Sequence, residues 1–294
     1  MTRSTLLIVP AAALVALAGC ASPDVDGLTP AAGPPDQRYE VAAVVLESPD
    51  HGPQLCHAVA ESLPPQCGGP DVVGWDWSIV ESESAQGTTW GLYQLVGVWD
   101  GERFTLTEPA RPADPPSATA APDVPDFTTP CPEPAGGWRP VDPSRATMHA
   151  QEQALARAAE AADYAGAWVD QSYLDELGVD RDDPAAVEQR ANDPARLVLN
   201  LRFTGDPGER EEWIREVWGG ALCVTAADRT LQELLGIQQQ LQLDHPGLLS
   251  SGVDEPGNRV VAQVLVASPE LQAELDDRFG EGVVALHGWL RPVD

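Results

Sequence analysis

Hydrophobic and polar positions along the chain change period several times, and each change predicts an element. From Leu6 to Ala18 the chain is apolar, interrupted by Pro10. That run falls short of the about 20 residues a membrane-spanning helix needs. Over residues 39–108 the pattern alternates with period two, the signature of strands whose side chains point to opposite faces in turn. Tyr39 to Leu46 is a strand rich in β-branched residues. Val73, Trp75, Trp77 and Ile79 form the apolar side of a second strand, with Val72, Gly74, Asp76 and Ser78 on the other. Trp90 to Trp99 and Arg103 to Thr107 flank Asp100-Gly101. That dipeptide predicts a type I′ hairpin, with positive φ at both positions. Together these strands predict a small β module, barrel- or sandwich-like, of a partly open, OB-like kind.

Beyond residue 143 the period lengthens to that of helices, broken by short strands. Met148 to Ala162 is an alanine-rich helix, Ala165 to Asp170 a strand, Tyr173 to Ala195 an acidic loop with helical turns, and Leu197 to Phe203 a strand. Asp206, Pro207 and Glu209 supply an N-cap, a proline at the first helical position and a capping-box acid. Trp213, Ile214, Val217 and Trp218 then form an apolar helix face. Leu222 to Thr225 is a strand, and Thr230 with Glu233 opens a helix to about Leu243. Val260 to Val266 is a strand. Ser268-Pro269 opens a helix with Leu271, Leu275 and Phe279 on one stripe, and Gly280 stops it. Val283 to Leu290 is the last strand. The order predicts an α+β sandwich, one sheet with helices on a single face, and shows no internal repeat. The fold class is α+β: a small β module followed by an α+β sandwich domain.

Arg3 followed by the apolar run has the layout of a signal peptide over residues 1–19. The run ends in Leu17-Ala18-Gly19-Cys20, which resembles the lipobox of bacterial lipoproteins. The resemblance implies cleavage before Cys20, a diacylglycerol thioether and palmitate-type acyl chains on that cysteine, and residence on the extracytoplasmic face of the cell membrane. Residues 20–38, rich in Pro, Gly, Ala and Asp, read as a flexible tether. The β module then covers 39–108, a Pro/Ala-rich linker 109–143, and the α+β domain 144–294.

Hydrophobic content of 43% supports a packed core. The net charge of −29 argues against nucleic acid and anionic lipid headgroups as partners, and for cationic ones. Every one of the 17 cationic residues is arginine, which excludes a Walker lysine and a lysine Schiff base. Arginine-only, alanine- and proline-rich usage also fits a high-GC, actinobacterial genome. With Cys20 assigned to lipid, Cys56, Cys67, Cys131 and Cys223 remain, and an even number in an exported chain predicts two disulfides. Four cysteines allow three connectivities. Cys56 and Cys67 lie within one module and are paired, leaving Cys131 with Cys223. There is no CxxC pair, so no zinc or other metal site and no cofactor is expected.

No catalytic motif stands out. There is no GxSxG elbow and no HExxH, and His57, His149, His245 and His287 read as structural or surface residues. Asp76 and Glu81 flank a tryptophan-bearing strand, the kind of carboxylate pair that glycosidases use, but Trp75 and Trp77 read as core. Asp170, Asp175, Asp180, Asp182 and Asp183 lack EF-hand spacing and read as a solvated loop. Cys56 with Leu63-Pro64-Pro65-Gln66-Cys67-Gly68-Gly69-Pro70 and Gly74-Trp75-Asp76-Trp77 resembles a module of secreted and lipid-anchored, uncharacterised actinobacterial proteins, and implies no particular activity. Tyr164 to Asp170, Leu197 to Asp206 and Thr230 to Leu234 are similar, in order, to pro-regions of alpha-lytic-type secreted serine proteases. Those pro-regions fold and inhibit their protease, so the similarity is expected to carry over the fold alone. The expectation is a lipid-anchored envelope protein that binds rather than catalyses, with an envelope or secreted protein as a partner. The alternatives are a carboxylate-using envelope hydrolase and a trans-acting inhibitor or folding factor of a secreted protease.

Overall fold

The structure, a computed structural model, describes residues 37–113 and 125–293. The predicted signal peptide, Cys20 and the predicted tether up to residue 36 lie outside the described residues. The chain is α+β, as its patterning predicts. An eight-stranded sheet is built from β1 (Arg38–Ser48), β2 (His51–Cys56), β3 (Asp71–Val73), β4 (Glu83–Ala85), β5 (Thr88–Trp99), β6 (Arg103–Leu106), β7 (Arg111–Pro112) and the last strand, β14 (Arg291–Val293). Tyr39, Val41, Ala43 and Val45 alternate inward along β1 and meet Leu55, Leu95, Trp99 and Phe104. The pairings β1–β2–β3–β6–β5–β1 return on themselves, with β3 parallel to β6. The β2–β3 step rests on the single pair Gln54 with Asp71. The module is therefore a strongly curled, barrel-like sheet, though not a true barrel.

Two local expectations are corrected. The strand at Val72 does not run on to Ile79. Gly74 takes φ +85 and turns the chain, leaving Val72 inside and Val73 outside, and a 3-10 turn follows at Trp77–Ile79. Trp75 and Trp77 still pack against Tyr93, with ring centroids 4.9 and 6.3 Å away. In the β5–β6 hairpin Gly101 has positive φ and Asp100 does not. The Asp100 carboxylate accepts from the N–H groups of Glu102 and Arg103 and closes the turn itself, an Asx-turn in place of type I′.

The rest of the chain forms two units of the same topology, where no repeat is legible in the sequence. The first runs α1 (Met148–Ala159), β8 (Tyr164–Asp170), β9 (Val198–Phe203), α4 (Pro207–Arg215), β10 (Ala221–Ala226); the short helices α2 (Tyr173–Glu176) and α3 (Pro184–Arg190) are inserted between β8 and β9. The second runs α5 (Leu231–Asp244), β11 (Leu248–Asp254), β12 (Arg259–Val264), α6 (Pro269–Phe279), β13 (Val284–Gly288). In each, the second strand is central, antiparallel to the first and parallel to the third. The expected single sheet is thus two three-stranded sheets. The caps explain where the helices begin: Asp206 and Ser268 cap α4 and α6 with proline in the first turn, and Thr230 with Glu233 forms a full capping box on α5.

Three joints hold the units together. Leu265, Val266, Trp289 and Leu290 pack into the core of the curled sheet, and β14 adds to β1 from Arg38 to Glu40. The turn between β11 and β12 plugs into the first unit's sheet. Glu255 Oε2 accepts from the Ala167 N–H (2.6 Å), and Asn258 Oδ1 accepts from Asp228 N–H and Arg229 N–H while its Nδ2 donates to Arg229 O. Gly166, at φ +147, makes room for this plug, since a Cβ there would sit 2.8 Å from the Glu255 Cβ. The disulfides join Cys56 to Cys67 and Cys131 to Cys223, with Cα atoms 5.7 and 5.8 Å apart. The second fixes residues near 131 to β10.

Candidate functional site

The sheet of the first unit has two unlike faces, and strand alternation sets them. Leu199, Leu201 and Phe203 point to the face covered by α1 and α4 and belong to its core. Val198, Asn200 and Arg202 point the other way. Register places Trp168 and Cys223 beside Asn200, and Thr225 beside Arg202, on that second face. Among the described residues, the unit's own helices α1 and α4 pack on the other face. Residues 125–138 lie over it, held by the Cys131–Cys223 bond, by Thr129 N–H donating to Asp170 (2.7 Å), and by Asn200 Nδ2 donating to Thr129 Oγ1 (3.2 Å). Between this strap, the polar face and the β11–β12 turn lies a cleft of about 480 Å³. Pro125, Pro130, Pro256 and the Trp168 indole supply apolar wall; Arg202, Thr225, Arg259, Asp126, Asp254 and Thr128 supply the polar groups.

Each charged group there has a traceable set of partners. Arg202 donates its terminal nitrogens to Pro256 O and Ala226 O, which fixes the guanidinium plane. Burial lowers its pKa, and the carboxylates of Asp228 and Asp254 oppose that. Asp254 is buried, and its oxygens accept from Gly257 N–H and Arg259 Nε, both at 2.9 Å. Among the described residues the terminal nitrogens of Arg259 have no partner. The Asp126 carboxyl lies below the usual carboxylate range because Thr128 donates to it. Two polar atoms of the floor, Arg202 Nε and Thr225 Oγ1, are buried without a hydrogen-bond partner. Most buried polar atoms find one; these two do not, and neither is open to solvent.

The chemistry weighed in the sequence falls elsewhere. Asp76 accepts from Ser78 N–H and caps the 3-10 turn, and Glu81 is exposed with its backbone oxygen accepting from Tyr93. Asp175 pairs with Arg181, Asp183 caps α3, and Asp180 accepts from Asp182 N–H. Burial pushes the Asp170 carboxyl up, but hydrogen bonds from Ser172 and Thr129 outweigh it and hold the group low. Among the described residues no three His, Cys, Asp or Glu side chains gather as metal ligands. His57 meets Gln263 Oε1 (2.7 Å) and the edge of Trp289, a structural bridge between the two parts of the chain. His149 sits on the exposed side of α1. His245 is buried at a smaller apolar cavity of about 230 Å³ between α5 and α6, and His287 lies on β13.

Arg202, Thr225, Arg259 and Trp168 were not singled out from the sequence. One signal was present: a charged residue stands at an alternating position inside the otherwise buried strand 197–203. No known protein family matches the chain, and no curated protein resembles it closely enough to count as a relative.

Proposed function

We propose that this chain is a lipid-anchored extracytoplasmic binding protein, non-catalytic, whose ligand occupies the cleft between its two repeated units. The observation that carries the reading is the state of the cleft's groups. Both its carboxylates are engaged in positioning neighbours, and among the described residues its walls carry no cysteine, histidine or serine to act as nucleophile or base. What remains is recognition chemistry: a guanidinium edge, an indole and three prolines. The address rests on Leu17-Ala18-Gly19-Cys20 at the end of an apolar leader, and two disulfides suit an oxidising compartment.

The test uses the full chain expressed with its leader. Cys20→Ser releases the protein from the membrane fraction into the medium; retention of the variant there refutes the anchor. The purified protein, incubated with a low-molecular-weight extract of the envelope and filtered, retains a small molecule unchanged, detected by mass spectrometry. Trp168→Ala abolishes the retention. A product of altered mass shows turnover and overturns the non-catalytic reading, and retention untouched by Trp168→Ala removes the ligand from this cleft.

A further inference from the structure

We propose that the second repeated unit carries a binding site of its own, apart from the cleft. It is an apolar cavity between α5 and α6 that takes the body of a small hydrophobic ammonium, with Glu270 and Glu274 at its mouth to meet the charge. The cavity measures about 230 Å³, and Leu241, Ala262, Val264, Leu275 and Leu286 supply aliphatic wall. Comparison of the two units shows how it arises. Each central strand has 6 residues and turns alternate ones toward its helices. In β9 these are Leu199, Leu201 and Phe203, all fully buried. The same places in β12 hold Val260, Ala262 and Val264, smaller at every position. Protein interiors pack densely, and the first unit shows that this frame can be filled. The second unit leaves part of that volume open. Aliphatic cavities of about 150 Å³ take up benzene, so this one accommodates a phenyl ring with a short chain.

Charge then selects among apolar ligands. Glu270 and Glu274 are exposed and still line the cavity, which places them at its rim. They stand one turn apart on α6, a spacing at which like charges repel. Among the described residues neither has a hydrogen bond or an ion pair, and Arg278, one turn beyond Glu274, is taken by Asp244. No arginine of the described chain lines the cavity, and the Ser268 hydroxyl in its wall is occupied in capping α6. A carboxylate entering there meets two charges of its own sign. An alcohol gains nothing from them, and an ammonium relieves their repulsion. The site is separate from the cleft, because Arg259, which lines the cleft, and Val264, which lines the cavity, mark opposite ends of β12.

His245 is the other titratable group in the wall, so the experiment is run at pH 8, where imidazoles are ordinarily neutral. The full-length protein is titrated by calorimetry with 2-phenylethylammonium, 2-phenylethanol, 3-phenylpropanoate and methylammonium. The phenylethylammonium binds, and the alcohol binds about fivefold or more weakly. The carboxylate is repelled, methylammonium has no body to bury, and neither binds. Glu270→Gln/Glu274→Gln changes two exposed side chains, leaves the fold intact and brings the ammonium down to the level of the alcohol. Val264→Phe installs the side chain that the first unit carries at this place. It leaves the melting temperature unchanged or higher and weakens both ligands about tenfold or more, since the space they use is filled. Equal binding of ammonium and alcohol to the wild type, or an undiminished preference in the glutamine variant, overturns the proposal. So does methylammonium binding as tightly as phenylethylammonium, undiminished binding in a folded Val264→Phe, or no binding at all. Should Val264→Phe fail to fold, the glutamine variant decides.

Discussion

Tyr164 stands at the junction of the repeated units, edge-on to Phe203 at 6.0 Å and close to the carboxylate of Glu255. Burial pushes its phenol up to about 12, and Glu255 adds to the shift. The folded pKa lies above the unfolded value of about 10, so the folded state favours the neutral phenol. Its contribution to stability is whole below pH 10 and drains away as pH rises through about 12. Burial also raises Tyr39 and Tyr93, so the total alkaline loss belongs to several groups. The difference between wild type and Tyr164→Phe isolates one. Urea unfolding from pH 8 to 12 should show the wild type losing stability relative to the variant above pH 10; parallel curves would refute the assignment. The acidic side behaves oppositely at Asp142. Ser144 and Arg145 hold its carboxyl at about 2, so its contribution is present above about pH 4 and is lost as pH falls toward 2. At this scale the sequence was uneven. Capping residues were readable because they act within one helical turn. The partners of Tyr164 and Arg202 were not, because each lies in a segment distant along the chain.

The turn between β11 and β12 is the element on which the two units depend. Asn258 holds φ +51, a left-handed conformation that asparagine tolerates, and makes three hydrogen bonds to residues 228 and 229. Asn258→Ala removes all three and places a less tolerant residue in that conformation. It should destabilise the protein by about 1–3 kcal/mol, read from the urea midpoint. Asn258→Gly keeps the backbone conformation and loses only the bonds, so it should fall between the two; a glycine variant as stable as wild type would make the side-chain bonds irrelevant. This element also shows why the duplication was hidden. β11 reads Leu-Leu-Ser-Ser-Gly-Val-Asp, too poor in β-branched and aromatic residues to announce a strand. It exists because it pairs with β12. The first unit, in turn, separates β8 from β9 by α2 and α3, where the second has a four-residue turn. With one strand unread and the spacings unequal, two copies of one topology look like a single irregular domain. β9 was legible in outline, and its alternation already contained the polar face of the cleft at Asn200 and Arg202.

For the molecule as a whole, the two disulfides have different work, and the difference can be measured. Cys56–Cys67 spans 11 residues and staples a loop within the curled sheet. Cys131–Cys223 spans 92 residues and presses the strap, with Asp126, Thr128 and Pro130, onto the polar face of the first unit. In the chain-entropy view a 15-residue loop is worth about 3 kcal/mol and a 100-residue loop about 4.7. Replacing both cysteines by serine should therefore cost more stability at the long bridge than at the short one. The functional contrast is sharper. Cys131→Ser/Cys223→Ser leaves the strap without its covalent tie, held by the hydrogen bonds of Thr129 to Asp170 and Asn200, by Trp168 Nε1 donating to Thr128 O and by the packing of Trp138, and the cleft loses a fixed wall. Whatever binds there should then bind more weakly, by about tenfold or more, as the ordering of the strap is charged to binding. Cys56→Ser/Cys67→Ser lies in another part of the fold and should leave that affinity unchanged once the protein is folded. Equal losses of affinity in the two variants would mean that binding follows global stability alone and that the strap does not form the site. A loss confined to the Cys131–Cys223 variant would tie the ligand to the face between the repeated units and make its capacity to bind dependent on an oxidising environment.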